Sequence, residues 1–287
     1  MNERLPQWLK RGIINTETTK NVRNILKTHN LNTVCDGARC PNKNECYSNN
    51  TATFLIMGNI CTRNCKFCCI ESSIPQPLND DEPLQIAKAV QKLNLKYVVI
   101  TSVTRDDLVD GGAEHFSKTI NLIRSLNPDV KIEVLTPDFN GDEKSILTVV
   151  KAKPDVFNHN IETVKDLYPN VRPQAEYPRS LEMLNFIKKT NPDIYTKSGL
   201  MVGFGETKDQ ITETLQDLHN NKCDIVTIGQ YIQPTKQHIK VEKYIEPELF
   251  EDLVKIGKQI GLKHVVAAPL VRSSYNAMNV LQCLTEC

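Results

Sequence analysis

The sequence predicts an α/β chain, a parallel sheet of repeated βα units preceded by an irregular arm. Three observations predict it. From about residue 53, short β-branched runs alternate with longer amphipathic stretches. Six such units in succession imply a parallel sheet with right-handed crossovers. The loops that follow the runs are rich in polar and charged groups, Gly or Pro, and that end of a parallel sheet carries chemistry.

Residues 1–50 are polar and irregular, with Pro6, Pro41, many Asn and one helical stretch at Thr18–Thr28. The strands fall at Thr53–Gly58, Tyr97–Val103, Lys131–Thr136, Asp155–Asn158, Thr196–Val202, Ile225–Tyr231 and His264–Ala267. Helices fall between them at Leu84–Leu93, Ala113–Leu126, Glu143–Lys151, Arg179–Lys189, Lys208–Asn221 and Pro247–Ile260. Asp80 or Asp81 with Pro83 opens the first of these, Thr207 the fifth and Pro247 the sixth. Asn127-Pro128 and Asn191-Pro192 act as stops. Periodicity does not separate a full barrel, a partial barrel and an open sheet.

Lys+Arg number 35 against 34 Asp+Glu, a net charge of +1, and aromatic residues make up 6%. This balance argues against a general nucleic-acid or membrane affinity. No apolar run approaches the roughly 20 residues that span a bilayer. Met1–Lys20 has no apolar h-region, so the expected compartment is cytoplasmic. In a reducing compartment, ten cysteines point to metal or thiol chemistry rather than disulfides. Seven of them lie between Cys35 and Cys69, whereas Cys223, Cys283 and Cys287 are scattered.

Cys61, Cys65 and Cys68, in CTRNCKFC, have C-x3-C-x2-C spacing directly after the first strand of the alternating part. Three thiolates suit a cubane cluster that keeps one iron open. Structural zinc is the alternative; it needs a closed set of four, with Cys69, His159 or a cysteine of the other group as the fourth ligand. Placement at the active end of the sheet favours iron–sulfur. The second group, Cys35, Cys40 and Cys46 in CDGARCPNKNEC, lies in the arm and again has no evident fourth thiolate.

CTRNCKFC resembles the S-adenosylmethionine radical signature. Together with CDGARCPNKNEC and the C-terminal string RSSY (Arg272, Ser273, Ser274, Tyr275), it resembles the lipoyl synthase family, from about Pro6 to Ala277. TSVTRDDLVDGGAEH, PDFNGD, HNIETV, TKSGLMVGFGET and TIGQYIQP fit the same family. The resemblance implies a partial (β/α)6 TIM-type barrel at 51–262, an arm at 1–50 with an auxiliary cluster motif, and a C-terminal extension at 263–287 with cluster ligands. Cys61, Cys65 and Cys68 would hold a 4Fe–4S cluster that binds S-adenosylmethionine. Cys35, Cys40, Cys46 and Ser274 would hold a sacrificial auxiliary 4Fe–4S cluster. The implied reaction inserts two sulfur atoms at C6 and C8 of an octanoyl group on a carrier-protein lysine. Implied partners are octanoylated carriers (a dehydrogenase E2 lipoyl domain or the glycine-cleavage carrier), a one-electron donor such as ferredoxin or flavodoxin, and an iron–sulfur carrier for cluster repair. A monomer is implied.

Candidate cofactor contacts at strand ends are Asn160, Glu162 and Lys197, with Gly203 and Glu206 in GFGE. The competing readings are a polar loop for the first three and a turn with a helix-favouring Glu for the others. Arg105, Asp106 and Asp107 form either a guiding loop or an ion-pair network. Arg272 would neutralise the auxiliary cluster or anchor the tail. His159 and His264 are expected to be structural, since abstracting hydrogen from an unactivated C–H needs a radical and no imidazole base. Biotin synthase or a methylthiotransferase would share only the first motif, and a zinc-stabilised binding protein would need closed ligand sets.

Overall fold

The computed structural model describes residues 5–10, 12, 16–49 and 51–285. Cys287 lies outside them. The described strands are β1 Asn32–Thr33, β2 Thr53–Ile56, β3 Ile60–Cys61, β4 Glu71–Ser72, β5 Tyr97–Ser102, β6 Lys131–Leu135, β7 Val156–Asn158, β8 Tyr195–Val202, β9 Ile225–Gln230 and β10 His264–Ala267. The helices are α1 Glu17–Thr28, α2 Val34–Gly37, α3 Lys43–Ser48, α4 Glu82–Lys92, α5 Ala113–Leu126, α6 Glu143–Lys151, α7 Tyr168–Val171, α8 Tyr177–Thr190, α9 Lys208–Asn220, α10 Pro247–Ile260 and α11 Ala277–Thr285.

Eight strands form one sheet in the order β1-β2-β5-β6-β7-β8-β9-β10. Every pair from β2 to β10 is parallel, and β1 adds to β2 antiparallel. Helices α4, α5, α6, α8, α9 and α10 are the crossovers, so six βα units lead to a seventh parallel strand. β1 and β10 end the sheet without pairing with each other, which makes a partial barrel rather than a closed one. β3 and β4 pair separately and clasp the base of the 61–71 loop.

Local chemistry explains the helix starts. Thr207 and Gln210 form a capping box on α9, and Asp142 accepts the Ser145 N–H on α6. Proline stands in the opening turn of α4, α8 and α10, where a missing N–H costs nothing. Consequently α4 and α8 begin two residues before the expected Leu84 and Arg179.

The outer face of the sheet packs on the helices: Phe54, Ile56, Val98, Ile100, Ile132 and Val134 meet Ile86, Val90, Phe116, Ile120 and Val149. The lower inner face is filled differently. Ala277, Val280 and Leu281 of α11 pack on Tyr97, Val99, Val156 and Ile225.

The arm is more regular than its polar composition suggested. Val22, Ile25 and Leu26 of α1 and Tyr47 of α3 join the main core. The sheet also runs past residue 262, because β10 pairs with β9 from His264↔Ile225 to Ala267↔Ile228.

Candidate functional site

The chemistry-bearing loops meet at one cavity of about 870 Å³. Cys35, Cys40, Cys46, Cys61, Cys65, Cys68, Cys69 and Ser274 all line it. Two stretches some 20 residues apart and a string near the other end of the chain thus converge on one space.

The Cys61–Cys68 loop is held on several sides. Cys61 Sγ accepts the N–H groups of Arg63 at 3.4 Å and Thr104 at 3.3 Å. Thr62 N–H donates to Thr104 O, Lys66 N–H to Val171 O, and Ile239 N–H to Lys66 O. Between the first two cysteines, Arg63 is 4% exposed. It bonds to Asp106 at 2.7 and 2.9 Å, to Asp138 at 2.7 Å and to Asn140 at 2.6 Å. Burial alone would weaken its charge, but the two carboxylates push its pKa up. Asp138, fully buried, is held down at about 2 by Arg63 against the opposite pull of burial. Arg105 pairs with Asp107 at 2.8 Å, so the RDD string is largely an ion-pair network.

The arm cysteines sit on a smaller scaffold. Thr33 caps α2 and shares Asp36 with Tyr47 and Lys43. Asn42 donates to Leu270 O at 2.7 Å, and Tyr275 donates to Glu45 at 2.6 Å. These two bonds seat the RSSY string against the arm. The two cysteine loops touch at Gly37, where an added Cβ would lie 2.6 Å from Ile70 Cδ1. Glycine disfavours a helix, and here it permits that close approach.

Burial pushes the thiol of Cys35 up to about 11 and those of Cys46 and Cys68 to about 12. Such thiols become thiolates only when a metal takes up the charge. No three described His, Cys, Asp or Glu side chains converge closely enough to enclose a single ion. Tetrahedral zinc requires that convergence. Thiolates that each ligate a different iron of a cubane stand further apart, so this donor set fits clusters better. His159 is not a spare ligand. Its Nδ1–H donates to Thr136 O at 2.9 Å, and Nε2 accepts from the Ser180 hydroxyl at 3.0 Å. Burial lowers its pKa to about 4 and keeps it neutral.

Five buried polar atoms of cavity-lining residues lack a partner among the described residues: Asn42 Oδ1 on the arm side, and Ser102 Oγ, Thr136 Oγ1, Asn160 Oδ1 and Arg172 Nε on the barrel side. Buried polar groups in folded proteins are paired, so the barrel-side set fits a polar ligand such as S-adenosylmethionine. Asn160 donates to Glu162 at 3.0 Å and to Ser273 at 3.3 Å. Glu162 has φ +66°, a conformation that costs a non-glycine residue about 1–3 kcal/mol. Burial pushes its carboxyl up and Arg172 draws it back.

The other candidates are placed elsewhere. Lys197 is buried on Glu133 at 2.9 and 3.0 Å, inside the barrel and off the cavity wall. Gly203 and Glu206 are also off it. The Glu206 carboxylate accepts the N–H groups of Gly203 and Phe204, and a Cβ at Gly203 would lie 2.7 Å from Lys243 O. Cys223 is buried and Cys283 exposed. Sequence reasoning missed Arg63 and Asp138, whose partners lie far away along the chain, and also Arg172, which bonds to nearby Tyr168 and Asn160. It also missed α11, although Ala277, Val280, Leu281 and Leu284 follow helical spacing.

Residues 55–218, more than half of the chain, match the model of the Radical SAM superfamily. The chain is 55% identical to lipoyl synthase of Caldicellulosiruptor saccharolyticus, over 96% of this chain and 97% of that protein. It is 54% identical to lipoyl synthase of Caldanaerobacter subterraneus subsp. tengcongensis, with the same coverage. Among solved structures it resembles Streptococcus suis SuiB bound to S-adenosylmethionine, with TM-score 0.58 and 13% identity, covering 79% of this chain and 54% of that one. Methylornithine synthase (PylB) gives TM-score 0.52 at 14% identity, covering 95% of this chain and 93% of that one. The two structural likenesses speak for the barrel, and the sequence relatives settle the rest: the chain belongs to the lipoyl synthase family of the radical SAM superfamily.

Proposed function

We propose that this protein inserts two sulfur atoms, at C6 and C8, into an octanoyl group on a lysine of a lipoyl-carrier protein. The observation that carries this reading is the single cavity walled by both cysteine triads and Ser274. Two 4Fe–4S clusters and S-adenosylmethionine, when bound, supply the carbon radical and the sulfur that no side chain can provide.

The chain's own residues hold and orient. Cys61, Cys65 and Cys68 would carry the cluster that binds S-adenosylmethionine. Cys35, Cys40, Cys46 and Ser274 would carry the auxiliary cluster that gives up sulfur. Asn160, Glu162 and Arg172 line the cavity and would hold the polar ends of S-adenosylmethionine. Arg272, half-buried between the arm and Glu162, places a positive charge beside Cys40. The arm (1–50) brings one triad, the barrel (51–262) the other, and the extension (263–287) adds the last strand and the serine.

The substrate class is the octanoylated carrier, either an E2 lipoyl domain or the glycine-cleavage carrier. A donor such as ferredoxin or flavodoxin would deliver electrons, and an iron–sulfur carrier would rebuild the auxiliary cluster. No helix among the described residues is long and apolar enough to cross a membrane. A cytoplasmic monomer is the setting this reading expects.

Anaerobic reconstitution tests it. About eight iron and eight sulfide per chain are expected for two cubanes, with an octanoyl-lysine peptide gaining two sulfur atoms under a supplied reductant. About four of each in fully reconstituted protein, or stoichiometric zinc without iron, overturns it.

A further inference from the structure

The cavity reaches the surface at the end of the sheet away from Cys61. β5 is six residues long, which at about 3.3 Å each sets its two ends roughly 20 Å apart. Just past one end, Thr104 N–H bonds to Cys61 Sγ. Just before the other, Asn94 and Lys96 line the cavity and are exposed. So are Asn49 and Thr51 of the arm and Met278 and Asn279 of α11. α11 covers this end only in part. Its Ala277, Val280 and Leu281 pack on Tyr97, Val99, Val156 and Ile225, yet neither Val156 nor Ile225 lines the cavity. The helix therefore fills the half of the barrel under β7 and β9. It leaves a gap between itself, the start of β5 and the arm.

The arm triad borders that gap. Thr51 donates its N–H at 2.9 Å and its hydroxyl at 2.7 Å to Cys46 O. Asn49 N–H reaches the same carbonyl at 3.1 Å. Cys46 and Cys40 are half-buried, and Cys35 lies deeper. Two cations stand on this side of the cavity wall, Lys96 at the gap and Arg39 beside Cys40. Neither side chain has a hydrogen-bond or ion-pair partner among the described residues. A cubane held by thiolates is anionic, and unpaired positive charge at a concave rim draws an anion inward. A cluster arriving from the other end of the cavity would meet Cys61, Cys65 and Cys68 first. Arrival through the gap meets the arm thiols first.

We infer that the gap between α11, the start of β5 and the arm is the entrance by which the arm triad is refilled, where an iron–sulfur carrier protein docks and hands over a 4Fe–4S cluster. The inference rests on the sulfur-insertion reading and deepens it, since a cluster that gives up sulfur has to be replaced. The exchange balances bond for bond. Each iron–thiolate bond broken on the carrier is replaced by one to Cys46, Cys40, Cys35 or Ser274, and iron and sulfide keep their oxidation states. Protons leaving the three arm thiols and the Ser274 hydroxyl pass to the carrier thiolates set free.

The test uses the full chain with both clusters loaded. One round of turnover on an octanoyl-lysine peptide consumes the auxiliary cluster, and a purified carrier protein loaded with a 4Fe–4S cluster is then added. Iron per chain should climb back from about four to about eight. Asn279→Trp, which fills the gap from an exposed position, should slow that return by about tenfold. Lys96→Glu adds no bulk and should slow it a few-fold at low salt and not at high salt. In both variants the Kd for the octanoyl-lysine peptide and the yield of the first turnover should stay unchanged. Refilling at the unaltered rate in both variants, or no refilling of the unaltered protein by the carrier, overturns the inference and leaves sulfur insertion standing. A loss of octanoyl-peptide affinity, with or without slower refilling, assigns the gap to the acyl carrier and also overturns it. If the unaltered, fully loaded protein forms no lipoyl product in its first turnover, the sulfur-insertion reading itself falls.

Discussion

The loop of Cys61, Cys65 and Cys68 is stitched to three other loops through main-chain hydrogen bonds and pinned by a buried arginine. The turn of Cys35, Cys40 and Cys46 reaches the C-terminal extension through two side-chain bonds, Asn42 to Leu270 and Tyr275 to Glu45. Both face one cavity, yet one is built as a fixture and the other as a seat. The difference matches the proposed chemistry. A cluster that delivers an electron again and again must keep its geometry, whereas a cluster that gives up sulfur must be taken apart and replaced. Fewer tertiary contacts lower the cost of opening a region.

The contrast can be broken most forcefully at Arg63. Arg63→Ala would leave buried Asp138 with only Arg179 at 3.4 Å and the Asn140 N–H as partners, and losing the main partner of a buried pair costs up to about 3–5 kcal/mol. Denaturant midpoints should fall accordingly, and 5′-deoxyadenosine formation should be lost while the arm triad still retains about four iron. Loss of both clusters in equal measure would show that the two loops are not independent.

A pH titration of apo-protein stability comes next. His159 is neutral in the fold, with its pKa depressed from 6.5 to about 4 by burial. The unfolded chain therefore binds the extra proton first, and stability should fall as pH drops from about 6.5 to about 4. The full effect is roughly 3 kcal/mol. His159→Gln should flatten that limb of the curve. An unchanged slope would mean the ring is not the titrating group.

Asn42→Ala should cost about 1–3 kcal/mol by leaving the Leu270 carbonyl unpaired. Cleavage of S-adenosylmethionine should persist while sulfur insertion drops, and equal loss of both activities would count against a separate seat. The smallest structural effect is expected from Ser274→Cys. The auxiliary cluster should be retained, because thiolate suits iron better than a hard hydroxyl oxygen, and sulfur insertion should slow. Unchanged turnover would remove the case for Ser274 as a labile ligand.

Much of the barrel could be read from the residues. Ala113–Leu126, Glu143–Lys151, Pro247–Ile260 and His264–Ala267 stand where periodicity and caps put them. The parts that escaped have physical reasons. β1, β3 and β4 are two residues each, too short for any period, and exist only because a partner strand is there. Helix α2 is four residues held by a Thr33 cap and a shared Asp36. At the site, cysteine spacing named the thiols, since ligand spacing is local. Arg63 with Asp138, and Lys197 with Glu133, are pairings across the fold that no local pattern announces.

The bond from Asn42 to Leu270 closes a span of 228 residues. Closing so long a loop is costly in chain entropy and late in folding. On a translating ribosome, the barrel loop finds its partners by the time residues near 239 have emerged. The arm cannot be seated until the stretch beyond 270 is out and folded back. The contact that joins the arm triad to the C-terminal extension is therefore completed only after the stretch beyond 270 has been made.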